Sequence, residues 1–340
     1  MDIYALTRQL IDIPSVSGDE DAVARFLAER LEASGYRVEL QEVSNGRRNL
    51  LALTGEPPRV VLSTHMDTVP PHIPASEDDE YIYGRGACDA KGIIAAQVEA
   101  AERLRAAGER RLGLLFTVDE EVASLGAKLA NEHTAARACR YLINGEPTDN
   151  LLAAGSKGSL RVRIATKGRA AHSAYPEHGE SAIERLLDVL AGIRAVEWPR
   201  DPFFGETTCN IGTLTGGTRS NVIPAQAEAV LHIRLVTDSA QVMSIIQSVV
   251  EGRAEVEYLS VSEPVRLHAV EGFEQCVVRF TTDIPYLRNW GAPLLLGPGS
   301  ILDAHTEHER VSKRELARAV ELYERLARAL LANSAEGDEG

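Results

Sequence analysis

The segment Val60-Val61-Leu62-Ser63-Thr64-His65-Met66-Asp67 sets the reading of the whole chain. Its first residues form a short apolar, β-branched run of the kind found in parallel strands covered on both faces, and it ends abruptly in an imidazole and a carboxylate. A Gly-rich turn, Gly84-Arg85-Gly86, then leads into Cys88-Asp89-Ala90-Lys91-Gly92 and an Ala-rich helical pattern from Ile93 to Ala107. Open α/β sheets place their sites beyond the carboxyl ends of such strands. His65, Asp67 and Asp89 are therefore candidate site residues. The plainer alternative is a structural histidine and a helix-capping aspartate.

The pattern recurs. Leu112 to Val118 runs into Asp119-Glu120-Glu121, and Tyr141-Leu142-Ile143 runs into Gly145-Glu146-Pro147. Near the end, Pro293 to Leu296 leads through Gly297-Pro298-Gly299 to Ala304-His305-Thr306. In one parallel sheet these strand ends would meet along a single edge. Carboxylates crowded there cannot all stay ionised without cations. Two histidines with several carboxylates, and no cysteine pair at ligand spacing, suit zinc or a similar divalent ion held through nitrogen and oxygen.

Taken in order, these motifs resemble the M20 family of di-zinc amidohydrolases and peptidases, which includes acetylornithine deacetylase, succinyl-diaminopimelate desuccinylase and carboxypeptidase G. The matching residues are His-x-Asp at 65 to 67, Gly-Arg-Gly-x-x-Asp-x-Lys-Gly at 84 to 92, Glu-Glu at 120 to 121, Gly-Glu-Pro at 145 to 147 and Ala-His-Thr at 304 to 306. The resemblance implies two divalent metal ions per chain, zinc first, with cobalt or manganese as alternatives. Asp89 would bridge them, His65 and Glu146 would complete one set, and Glu121 and His305 the other. Glu120 would be the general base, taking a proton from water and returning it to the leaving amine. Asp67, two residues beyond His65, is placed to accept the other ring N–H of that imidazole and fix its tautomer. Further along, Gly168 to Pro176 is similar to a family segment whose histidine, here His172, stabilises the oxyanion in the other subunit's site. Asn221, in Ser220-Asn221-Val222-Ile223-Pro224, and Arg234 resemble the family's substrate-carboxylate binders, for which a guanidinium is well shaped.

Two departures bear on the substrate. The link Pro70-Pro71-His72-Ile73-Pro74 is shorter than in many relatives and resembles the branch that hydrolyses lysine or ornithine from an amino-group carrier protein. The stretch Val270 to Asp283 is also short, leaving the pocket wall near Thr282 and Asp283 open. The expected activity is release of an amino acid from an N-acyl derivative or peptide, most like acetylornithine deacetylase. Hydrolysis of a carrier-linked amino acid, or dipeptidase or carboxypeptidase action, is the alternative, and a catalytically silent binding protein comes third because Glu120 is intact.

The expected fold is α/β, a doubly wound, zinc-exopeptidase-like catalytic domain interrupted by a ferredoxin-like α+β dimerisation domain. After Gly155 the pattern changes to strand Ser159 to Thr166, helix Ser181 to Val196, strands Thr207 to Leu214 and Ala227 to Val236, helix Ser239 to Glu251 and strand Ala254 to Val261, a βαββαβ order. That gives residues 1–156 and 263–334 to the catalytic domain, 157–262 to the insertion and 335–340 to a frayed acidic tail. A closing helix from Lys313 to Ala332 carries Ser312 and Glu315 as a capping box and an apolar stripe through Leu316, Ala319, Tyr323, Leu326 and Leu330. The net charge of -14 argues against nucleic acid or an anionic membrane as partner. Four scattered cysteines and the opening Met1-Asp2-Ile3 suggest a reducing cytoplasm. The expected assembly is a homodimer.

Overall fold

The computed structural model describes residues 2–336, with side chains to 332, so the tail beyond 336 lies outside the described residues. The chain folds as two compact units. The first comprises Met1–Ala154, Leu267–Cys276 and Thr282–Gly340, and the second Gly155–Arg266 and Val277–Thr281.

In the first unit, helices α1 (Ile3–Asp12) and α2 (Asp21–Ala33) precede strands β1 (Arg37–Ser44), β2 (Arg47–Leu53) and β3 (Val60–His65). Helix α3 (Lys91–Ala106), β4 (Leu112–Thr117) and β5 (Tyr141–Asn144) follow. The sheet order is β1-β2-β4-β3-β5 and then the late strand Ala292–Leu295. The pairs from β4 outward to Ala292–Leu295 are parallel, whereas the β1–β2 hairpin adds antiparallel to β4. This is a mixed α/β fold, with its parallel half built as the strand-helix alternation predicts. Strand β3 is buried along its whole length, as are β4 and most of β5, which explains their unbroken apolar sequences. Helix α3 is buried on nearly every face, and its alanines, among them Ala95, Ala96, Ala100 and Ala101, let it lie close to the sheet. The final helix, Lys313–Glu336, buries the predicted stripe of Leu316, Ala319, Tyr323, Leu326 and Leu330 and runs past the expected end at Ala332. None of the helices searched is long and apolar enough to cross a membrane.

The second unit holds β6 (Gly158–Lys167), α4 (Ala182–Arg194), β7 (Thr208–Gly216), β8 (Gln226–Leu235), α5 (Ser239–Val250) and β9 (Glu255–Ser262). The four strands form an antiparallel sheet in the order β7-β8-β6-β9, the ferredoxin-like arrangement. Alternate residues of β6 and β8 are buried, so Leu160, Val162, Ile164, Ala229, Leu231 and Ile233 share a core with Leu186, Val189 and Ile246 of the helices. The unit's limits differ from the expected 157–262. Val265 and Arg266 pair with Ser156 and Gly155, the Lys157 N–H donates to the Val278 carbonyl at 3.1 Å, and the Ser156 hydroxyl donates to the Phe280 carbonyl. Residues 155–156, 263–266 and 277–281 thus belong with the insertion, a pairing between distant segments that local patterning does not encode.

One node in the first unit fixes how the chain leaves β4. The Asn49 side chain accepts the Val118 N–H at 3.2 Å and donates to the Gly126 carbonyl at 2.8 Å. A Cβ on Gly126 would lie 2.4 Å from the Val118 carbonyl and 2.5 Å from Asn49 Oδ1. Because backbone hems this position in, Gly126→Ala should cost about 1–3 kcal/mol in urea unfolding. An unchanged midpoint would show that the turn relaxes freely.

Candidate metal centre

The parallel strands deliver their terminal residues to one edge of the first unit. His65 is the last residue of β3, and the Met66 N–H is held by the Thr117 carbonyl at 2.8 Å. The Gly145 N–H donates to the Ser63 carbonyl at 2.7 Å and Thr64 Oγ1 donates to the Gly145 carbonyl at 2.8 Å, which fixes the approach of Glu146. Helix α3 starts at Lys91 with no side-chain cap, so Asp89 is free of the capping role and turns its carboxylate elsewhere.

That carboxylate lies between two imidazoles. Asp89 Oδ1 is 3.0 Å from His65 Nε2, and Asp89 Oδ2 is 3.3 Å from His305 Nε2. His305 Nε2 is also 2.9 Å from Glu121 Oε1, and Glu146 Oε2 is 3.9 Å from His65 Nε2. Donor atoms of His65, Asp89 and Glu121 all lie within 4.8 Å of one another. The structure thus brings together His65, Asp89, Glu121, Glu146 and His305, with Glu120 beside them. Glu146 Oε1 is buried and has no hydrogen-bond partner among the described residues. An orphaned carboxylate oxygen next to an aspartate shared by two histidines is a donor set that fits divalent cations.

The electrostatics carry the same message. Burial pushes the Glu146 carboxyl well above the usual range, with the neighbouring Asp89 and Glu121 charges adding to it and His65 opposing. Burial also raises Glu120 well above that range, reinforced by Glu146. His305 is raised to about 10 by its bonds to Asp89 and Glu121. Burial works against protonation of His65, yet the bonds to Asp67 and Asp89 raise it well above the ordinary imidazole value. Burial opposes ionisation of Asp89 too, and the bonds from His305 and His65 overcome it, holding its carboxyl low. Left to protons alone, the cluster collects positive charge on its histidines and neutralises its outer carboxylates, the balance that cations would otherwise provide.

Asp67 departs in detail from the sequence expectation. His65 Nδ1 lies 2.9 Å from the Asp67 backbone carbonyl and 3.5 Å from its carboxylate. A proton on Nδ1 directed at that carbonyl leaves Nε2, the atom that faces Asp89, as the nitrogen that would bind a metal. The Asp67 carboxylate instead accepts the backbone N–H groups of Glu120 at 3.1 Å and Glu121 at 3.2 Å, and the Ser17 hydroxyl at 2.7 Å. It therefore positions both glutamates through their backbone. Asp119 supports them from the other side in a left-handed conformation, φ 72°, with Oδ1 held at 2.8 Å by Arg47. Arg47 is anchored in turn by Glu20 at 2.6 and 2.7 Å.

Sequence reading missed three supports. Glu309 accepts N–H groups of the Asp89 loop, Arg47 links Glu20 to Asp119, and Asp283 accepts a 2.8 Å bond from Thr117 Oγ1 at the end of β4. No local pattern joins these pairs, although the short stretch holding Asp283 was conspicuous.

The remaining candidates lie in the second unit. His172 is exposed and forms an isolated bridge with Val222, and the Ser173 N–H donates to the Asn221 carbonyl at 3.0 Å, so His172 and Asn221 are neighbours. Arg234 is elsewhere. It pairs across the sheet with Ser159, while Gln226, at the Asn221 end of β8, pairs with Lys167. Eight strand residues separate Arg234 from Gln226, about 25 Å at roughly 3.3 Å per residue. No ion pair is found for Arg234 among the described residues, and burial lowers its pKa. His232 lies on the same sheet face, opposite Arg161.

Comparison with known proteins shows the family and the fold. The profile of Peptidase family M20/M25/M40 matches residues 61–329. A probable carboxypeptidase of Aspergillus terreus is 38% identical over 369 aligned positions, covering 95% of this chain and 85% of the relative. The solved structure of a Staphylococcus aureus tripeptidase superposes with a TM-score of 0.77 at 21% identity, covering 96% of this chain and 98% of the other. A Bacillus subtilis dinuclear metal binding peptidase from the M20 family gives 0.71 at 15% identity, covering 97% of each chain.

Asp283 supplies a pH test of the metal-free site. Burial raises its carboxyl from 3.8 to about 6. A folded-state value above the unfolded one means that the folded protein binds the extra proton, so stability falls as pH rises from about 4 to about 6 and the cost persists above that. Metal-free Asp283→Asn should match wild type near pH 4 and exceed it at pH 7, by up to about 3 kcal/mol in urea unfolding. A gap that does not change with pH would contradict this.

Proposed function

The chain belongs to peptidase family M20/M25/M40, and from that premise we propose that it is a di-metal hydrolase that releases a C-terminal amino acid from a short peptide or an N-acyl amino acid. The single observation that carries this reading is the Asp89 carboxylate, whose two oxygens each face a different imidazole. In the proposal His65, Asp89 and Glu146 hold one ion, and Asp89, Glu121 and His305 hold the other, zinc being the first choice for nitrogen and oxygen donors. Bound there, the two ions supply Lewis-acid polarisation of the scissile carbonyl and a lowered pKa for water.

The chain's own residues do the rest. Glu120 has its backbone pinned by Asp67 and its carboxylate in a buried, proton-seeking environment. It takes the proton of the attacking water as the C–O bond forms, then returns it to the amine nitrogen as the C–N bond breaks. His172 donates to the developing oxyanion, and Arg234 binds the carboxylate of the released amino acid together with an Asn221 that enters the site beside His172. His172 and Arg234 of one chain stand too far apart along the second unit to serve one small substrate. That separation supports a homodimer in which each site draws His172 and its neighbour Asn221 from the partner and Arg234 from its own chain.

A carboxyl-terminal leaving residue is favoured by the carboxypeptidase name of the fungal relative and by the unpaired Arg234. The acetylornithine deacetylase reading keeps an amino acid as the leaving amine and asks for a small acyl group on the other side of the scissile bond, and the short Pro70 to Pro74 link is the feature that favours a carrier-linked lysine or ornithine. A hydrolysis screen of the zinc-, cobalt- and manganese-loaded protein over dipeptides, tripeptides, N-acetyl amino acids and γ-glutamyl amides separates them. Blocking the substrate's α-carboxylate as an amide should abolish turnover. In the same screen Glu120→Ala should keep both ions and lose about 10²- to 10⁴-fold in rate. Wild-type turnover by that variant would exclude Glu120 as the base.

The dimer is tested by complementation. Glu120→Ala and His172→Ala proteins, each inactive alone, should on subunit exchange regain up to about half the wild-type activity per mixed dimer, since one of two sites is then complete. Exchange shown by mass with no recovery, or a fully active monomer, would rule out action in trans.

A further inference from the structure

Glu309 is a carboxylate with 1% exposure that touches neither imidazole, yet it gathers the loop that carries Asp89. Its Oε1 accepts three backbone N–H groups, from Gly86 at 3.0 Å, Cys88 at 3.2 Å and Asp89 at 3.1 Å, together with the Cys88 thiol at 3.6 Å. Its Oε2 accepts Arg85 Nη1 at 2.7 Å, and its backbone carbonyl accepts the Gly84 N–H at 3.0 Å. Arg85, itself 2% exposed, also donates to the Thr306 carbonyl at 3.1 Å, next to His305. Residues 84–89 and 305–309 are thereby stapled to each other through one carboxylate, one guanidinium and one backbone bond.

The staple has an unequal effect on the two halves of the centre. His65 and Glu146 sit at the ends of buried strands and are held by the sheet. His305 has no such support. It sits in a loop at φ 63° with its side chain 48% exposed, and its ring Nε2 pairs with Asp89 and Glu121. The relative placement of Asp89 and His305 therefore depends on the Arg85–Glu309 connection.

We propose that Glu309 is a positioning residue that sets the affinity of one metal position selectively, the one held by Asp89, Glu121 and His305. The inference rests on the two-ion reading above. Loss of groups that orient metal ligands commonly weakens binding about 10- to 100-fold. Zinc binding is measured by competition with a chromophoric chelator on wild type, Glu309→Ala and Glu309→Gln, with the thermal midpoint of each metal-free protein recorded alongside. Cobalt-loaded samples are compared by visible absorption.

Wild type should bind two ions. Glu309→Ala should keep one at wild-type affinity and bind the second at least about tenfold more weakly, with the cobalt spectrum of the weakened position altered. Glu309→Gln, which still offers an oxygen to the three N–H groups but loses the ion pair with Arg85, should show a smaller loss confined to the same position. Two ions at wild-type affinity in Glu309→Ala would overturn the proposal, and so would equal weakening of both positions in Glu309→Gln with its metal-free midpoint unchanged. If Glu309→Ala fails to fold, Glu309→Gln decides, because loss confined to one position supports the proposal and no loss at either sinks it. Fewer than two ions in wild type would instead refute the two-ion reading itself.

Discussion

The structure depends on accommodating negative charge where water is excluded. Asp89 and Glu146 are buried at the edge of a parallel sheet, Glu121 and Glu120 stand half-buried beside them, and Glu146 has an oxygen with no protein partner. Such a group of carboxylates is costly in a folded protein unless cations share the space. Two imidazoles converge on one aspartate and provide the frame in which cations can do so. The surrounding architecture can be understood as the means of holding that frame against its own repulsion.

The holding is done by backbone as much as by side chains. The ligand strands are parallel and largely buried, so their ends have little freedom. Where the chain must turn away from the sheet, carboxylates outside the proposed metal sets collect backbone N–H groups. Asp67 takes those of Glu120 and Glu121, and Glu309 takes those of Gly86, Cys88 and Asp89. Asp119 and His305 adopt left-handed backbone conformations that non-glycine residues seldom accept. Strain of this kind persists only where the surroundings over-determine it, and here both residues adjoin the cluster.

Much of this was legible in the sequence because strand ends are local features. The apolar runs before His65, Asp119, Glu146 and His305 announce buried strands, and the residue types that follow announce the chemistry. The βαββαβ order of the second unit was legible for the same reason. What stayed hidden is contact between segments far apart in the chain. Nothing near Glu309 points to Asp89, nothing near Glu20 points to Asp119, and the strands that assign residues 277–281 to the second unit are too short to show a period. Asp67 was recognised as a helper of His65, and its carboxylate stands 3.5 Å from Nδ1; hidden in the sequence was that the same carboxylate also holds the backbone N–H groups of Glu120 and Glu121.

The central claim is that Asp89 holds two ions in common. X-ray absorption at the metal edge of the zinc-loaded protein tests it most directly, run on wild type and on Asp89→Asn. The account predicts a metal–metal scattering distance of about 3.5–4 Å in wild type that disappears in the variant. A zinc-saturated wild-type protein with no metal neighbour at that distance, or a variant that keeps it, would contradict the account.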